Sequence, residues 1–245
     1  MSDTTKHCSS IDERIQKRSV GGRPAERHEY PWTLVLEGPT QCSAVLISSH
    51  HVLTAAHCGA DRDYDVPCTG TETNKPYITI GNEKMSIIVA TEDSCSLENI
   101  GSCTSYGIKT LTIHPDYNPC NGRHDLAVLE ITSDISSDKS TPICMPKKDE
   151  DIPTRKHGMT AVGFGHNPDH PGVRRMDAVN VTMDGTYADR SLIVTKNDGK
   201  SICLKLTWMP STVLSFLGMQ SFFEDVRDSI DWVCEVTGVC PKRNL

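Results

Sequence analysis

The stretch SAVLISSHHVLTAAHC, residues 43–58, runs from an apolar, β-branched segment through a polar break to VLTAAHC (52–58). Its last four residues place His57 between two small alanines and a cysteine, at the end of an apolar run. That setting raises the question of whether His57 is a general base, and which nucleophile it serves. Runs of the same kind recur along the chain: WTLVLE (32–37), SAVLISS (43–49), YITIGN (77–82), MSIIVAT (85–91), LAVLEIT (126–132) and TAVGFG (160–165). Runs of four to eight residues divided by Gly, Pro and Asn predict an all-β sandwich or barrel. The exception is EDVRDSIDWVCEV (224–236), where Val226, Ile230 and Val233 fall at i, i+4 and i+7 behind an acidic first turn and predict a C-terminal helix.

Composition limits the function classes. The chain has 245 residues, enough to bury one large β domain or two smaller ones. A net charge of −7 without a basic block argues against a nucleic-acid partner. No run reaches the roughly 18 to 20 apolar residues of a membrane span. Eleven cysteines at scattered spacings predict disulfides and an oxidising, extracellular setting. The first residues, MSDTTKHCSS, contain no apolar core of a secretory signal, so a leader is expected upstream. Residues 1–18 are polar and end in Lys17-Arg18, as a short propiece would. The region 61–117 holds Cys68, Cys95 and Cys103 and reads as strands with long cross-linked loops. No C-x₂-C or H-E-x-x-H pattern occurs, and adjacent His57 and Cys58 make poor ligand geometry, so neither a metal nor another cofactor is expected. Asn180-Val181-Thr182 is an N-glycosylation triplet.

Several stretches, in order, resemble the trypsin/chymotrypsin family of serine proteases. SVGGRPAERHEYPWTLVL (19–36) is similar to the start of the mature family domain, with Arg18–Ser19 at the activation cleavage. CSAVLISSHHVLTAAHC (42–58) resembles the strand pair and histidine loop, HDLAVLEI (124–131) the aspartate strand, ICMP (143–146) the interdomain cysteine, and AVGFG (161–165) a strand entering the second barrel. The resemblance implies a two-barrel fold with a closing helix, residues 19–245 as the protease domain, and subdomains near 19–140 and 141–245. It implies His57 as base, Asp125 as its orienter, a Cys42–Cys58 clamp, a Cys8–Cys144 tether for the propiece, and a protein or peptide as substrate or partner. Cys68, Cys95, Cys103, Cys120, Cys234 and Cys240 are left for three further pairs that spacing does not connect. The chemistry requires all three groups: a serine hydroxyl attacks only when an imidazole takes its proton, and the imidazole needs a carboxylate to fix its tautomer.

The chain departs from that family where the nucleophile belongs. No Gly-Asp-Ser-Gly-Gly occurs; aligning Cys203 and Pro210 puts Lys205, Leu206, Thr207, Trp208 and Met209 in its place. Thr207 brings a hydroxyl, but its branched carbon restricts the rotamer needed to meet His57. Without the glycines the backbone is not free to aim two N–H groups at an oxyanion. Leu206 leaves no acid for a new N-terminal amine. The resemblance implies Ser201 at the base of the substrate pocket, where an acid would select Lys or Arg. SFLGMQSFFEDV (215–226) runs almost directly into the closing helix, which implies a shortened second barrel.

Overall fold

The structure, a computed structural model, describes residues 18–20, 22–26, 28–68, 76–90, 95, 102–149, 158–165, 175–187, 192–196, 201–203 and 221–241. Two short strands come first, β1 (Arg18–Val20) and β2 (Arg23–Pro24). The first half then supplies β3 (Thr33–Glu37), β4 (Cys42–Leu46), β5 (His51–Thr54), β6 (Ala60–Arg62), β7 (Tyr77–Thr79), β8 (Ser86–Ile88), β9 (Ser105–Ile113) and β10 (Ala127–Ile131). The second half supplies β11 (Met159–Gly163), β12 (Asp177–Tyr187), β13 (Leu192–Lys196), β14 (Ser201–Cys203) and β15 (Ser221–Glu224). A 3₁₀ turn over Val226–Ser229 leads into α1 (Ile230–Thr237).

Six strands close a barrel in the order β10-β5-β4-β3-β8-β9. Alternation fills it: Leu34 and Leu36 of β3 point inward with Cys42, Ala44 and Leu46 of β4, Ile87 and Leu129. Each fully buried Leu contributes roughly 1.5–3 kcal/mol. Val35, between the two leucines, is also fully buried, because the outer face of β3 is covered too. It packs with Ile88 against Phe164 and Met176 of the second half. The barrel is therefore buried on both sides where the halves meet. A side-chain bond stitches the same seam, where Phe164 N–H donates to Ser43 Oγ at 3.0 Å.

Among the described residues the second sheet is open, β11-β12-β13-β15, with β2 added to β12. It forms a curled half-barrel. A separate ladder joins β1 to β14, with Arg18 opposite Cys203, Ser19 opposite Ile202 and Val20 opposite Ser201.

The closing helix begins later than the spacing of Val226, Ile230 and Val233 predicts. Glu224 ends a strand, and Val226 lies in the 3₁₀ turn. Asp225 holds that turn, accepting from Arg227 N–H at 3.2 Å and gripping the Arg227 guanidinium at 2.9 and 2.6 Å. The helix stops at Gly238, whose φ of 72° suits a residue without Cβ and whose N–H donates to the Cys234 carbonyl. Val233 packs the helix onto Leu53, Leu126 and Val128 of the first barrel.

Four disulfides join described residues: Cys42–Cys58, Cys68–Cys120, Cys95–Cys103 and Cys234–Cys240. The last three supply the connectivity that spacing left open. The expected Cys8–Cys144 tether is corrected: Cys144 is an exposed free thiol, and Cys8 lies outside the described residues.

Candidate active site

The pairing of β5 with β10 brings the site together. The strands run antiparallel with Thr54 opposite Ala127 and Leu53 opposite Val128. Continuing that register past both strand ends sets Asp125 opposite Ala56, beside His57. Two local devices turn the side chains toward each other. After Thr54 the chain enters a 3₁₀ turn over Ala56–Cys58, and Cys58 is tied back to Cys42 on β4. The turn lies close over β9, and a Cβ on Gly59 would meet the Leu111 side chain at 2.8 Å, so a larger residue there would push Leu111 aside. On the other side His124 adopts a left-handed φ of 51°. Leu126 N–H donates to the His124 carbonyl at 2.7 Å, closing a tight turn centred on Asp125.

The result is a doubly bonded carboxylate. Asp125 Oδ1 accepts from the His57 backbone N–H at 2.8 Å, and Oδ2 lies 2.6 Å from His57 Nδ1. The His57 side chain is 40% exposed and that of Asp125 26%, so the imidazole faces outward while its orienter is shielded. A carboxylate on Nδ1 fixes the tautomer with its proton there and leaves Nε2 as the unprotonated nitrogen. Ala56, Ala60, Ala127 and Tyr117 pack beneath the turn. Burial first, and then the Asp125 charge, push the Tyr117 phenol far above its ordinary value.

The other expected site residues are placed less completely. Ser201 lies on β14, and Arg18 and Ser19 on the strand paired with it. Thr207 lies outside the described residues. Asn180 is exposed on β12. Donor atoms of Cys42, His57 and Cys58 lie within 4.8 Å of one another, but the disulfide leaves neither sulfur as a thiolate ligand.

Two neighbours of Asp125 escaped the sequence reading. Both carboxylate oxygens of Glu224 are buried, close to the Asp125 amide. Burial, reinforced by the charge of Asp125, raises this carboxyl to about 8, with the Asp125 amide opposing and Asp228 and Asp225 adding to the rise. An acid between Phe223 and Asp225 gives no local sign of burial. The second neighbour is a stack: the His124 and His114 rings lie parallel at 4.6 Å, and Trp232 of α1 tilts against His114 at 4.7 Å.

His114 carries a pH prediction. Its Nδ1 accepts from Asp116 N–H at 3.2 Å, so protonation there costs a hydrogen bond. Burial, followed by the neighbouring His124, lowers its pKa to about 4, with Asp116 opposing. The unfolded chain binds this proton near 6.5 and the folded chain does not, so stability falls as pH drops from 6.5 towards 4. The loss assigned to His114 is on the order of 2 kcal/mol. Urea melts of His114→Phe between pH 4 and 7 should show a shallower acid limb than the parent; parallel limbs would contradict the assignment.

Comparison with known proteins places the arrangement. The Trypsin family profile matches residues 19–206. A CLIP domain-containing serine protease B10 of Anopheles gambiae is 29% identical over 180 residues, 66% of this chain and 46% of that protein. The phenoloxidase-activating enzyme of Bombyx mori is 30% identical over 170 residues, 64% of this chain and 37% of that protein. The chain thus spans less than half the length of these curated relatives. A solved chain of "GrC" superposes with a TM-score of 0.64 at 16% identity, covering 89% of this chain and 99% of that one, a likeness of fold.

Proposed function

The chain belongs to the Trypsin family, serine proteases that act on proteins or peptides, and from that premise we propose that it binds a protein partner without cleaving it. One observation carries the reading: the base and its orienter are in place, whereas the aligned nucleophile segment reads Lys205-Leu206-Thr207-Trp208-Met209. In keeping with this, the family match ends at residue 206, one short of Thr207. His57 is then an idle general base, Asp125 its orienter, Thr207 a non-functional hydroxyl, and Ser201 the floor of a pocket that does not select Lys or Arg. Residues 1–18 are a propiece cut at Arg18–Ser19, residues 19–245 form the protease-like domain with subdomains near 19–140 and 141–245, and the molecule is secreted. The disulfides support that location.

Loss of the nucleophile alone lowers the rate by roughly 10⁴ to 10⁶. Protein cleaved at Arg18–Ser19 is therefore expected to take up no fluorophosphonate probe and to leave casein intact. Stoichiometric labelling of Thr207, or turnover abolished by His57→Ala, would overturn the reading.

A second reading is an active secreted endopeptidase whose transcript this sequence renders incompletely or in an alternative splice form. The observation favouring it is that three departures from the family pattern cluster after Cys203. Under it, peptide bonds are hydrolysed through a serine acyl-enzyme, with His57 and Asp125 in the roles above. Transcripts reading uninterrupted from the codon of Ser201 to that of Asp225, and matching this sequence, would discard it.

A further inference from the structure

Asn180 stands on the one Asn-x-Ser/Thr triplet of the chain, Asn180-Val181-Thr182, and the sheet register decides which way that triplet faces. Side chains alternate along a strand, so Asn180 and Thr182 share one face of β12, and Val179 and Val181 share the other. Val179 is 1% exposed and Val181 5%, packed with Ala161, Met159 and Phe223. Asn180 is exposed, and Thr182 is partly so. Pairing with β11 locks the choice: Ala161 lies opposite Val179, Thr160 opposite Asn180 and Met159 opposite Val181. A one-residue slip would drive Asn180 into the core. Thr160, itself exposed, donates its hydroxyl to Asn180 Oδ1 at 3.2 Å, which leaves the amide nitrogen pointing away from that bond.

We propose that Asn180 carries an N-linked oligosaccharide. In the transfer, the Asn180 amide nitrogen bonds to the anomeric carbon of a lipid-pyrophosphate-linked oligosaccharide. The bond from that carbon to pyrophosphate oxygen breaks, the lipid pyrophosphate leaves with the electron pair, and the amide proton passes to solvent. Val181 between acceptor and hydroxyl leaves the triplet permissible, and the folded register leaves the sugar outside the core. The glycan covers the outer face of β11 and β12 around Thr160, so a protein partner must dock elsewhere. The proposal rests on the extracellular reading, because the donor lipid is met only on the secretory route, and it is independent of whether the chain cleaves peptides.

The test is the full chain translated into the secretory lumen of eukaryotic cells behind a cleavable leader. Most of the product is expected to carry one glycan, removed by a peptide N-glycosidase that converts Asn180 to aspartate, as read by mass spectrometry. Asn180→Gln and Thr182→Ala should abolish the shift, and Thr182→Ser should keep it. An unmodified Asn180 in a chain that has formed Cys42–Cys58 would overturn the proposal and spare the extracellular reading. A lumenal chain with neither glycan nor disulfides would overturn both.

Discussion

Glu224→Gln gains stability over the parent as pH rises, by on the order of 3 kcal/mol across the interval from about pH 4.5 to 8. The sign follows from the raised carboxyl. Below the unfolded value both states carry the proton, and Glu224 costs nothing through ionisation. Between the unfolded value and the folded value of about 8, the unfolded chain releases the proton and the folded chain keeps it, so folding loses ground with each step of pH. Above about 8 the buried carboxylate must ionise beside Asp125, and the penalty levels off. Glutamine has no proton to lose. Its own unmet amide shifts the whole curve, so the measurement is the slope of unfolding free energy against pH in each protein. Parallel curves would sink the account of Glu224. A steeper parent, by contrast, would identify this side chain as a source of alkaline instability next to the His57–Asp125 pair.

Removing Cys68–Cys120 by a double substitution to alanine is expected to cost about 4 kcal/mol, against about 2 kcal/mol for Cys234–Cys240. The difference is one of loop size. The first bridge joins residues 52 apart and the second residues 6 apart, so the first withdraws far more freedom from the unfolded chain. Cys120 also sits in the loop leading to Asp125. Its N–H donates to Asn118 Oδ1 at 2.8 Å, and Asn118 forms a bridge with Arg123, one residue before His124. Thermal scans should place the midpoint of the Cys68→Ala/Cys120→Ala protein roughly 8 to 16 °C below the parent. Equal losses at the two bridges would show that loop size does not govern their contribution.

The first barrel and the His57–Asp125 pair were largely legible in the residues. Short β-branched runs marked β3, β4, β8, β10 and β11, and the two motifs that carry the pair lie on the strand ends whose register joins them. The second half was less legible because sheet pairing there overrides local preference. The 11-residue strand β12 contains Asn180, Asp184 and Gly185, residues that strands disfavour. Cysteine partners depend on where loops meet in space, which is why resemblance misassigned Cys144 and spacing left three bridges open. Glu224 was invisible for a different reason. Nothing in the chain nearby distinguishes an acid at a helix entrance from one with both oxygens buried.

The ladder of β1 with β14, and the pairing of β2 with β12, set the order of assembly during synthesis. Residues 18–24 are translated before either half of the fold, yet their partners are Asp177, Ala178 and Ser201–Cys203. At typical elongation rates the first-made strands wait roughly 10 to 40 s for the last of these partners to be translated. The first barrel, whose six strands lie within residues 33–131, can close in that interval without them. The second sheet cannot: it is completed only when β12 meets β2, a strand synthesised before the whole of the first barrel.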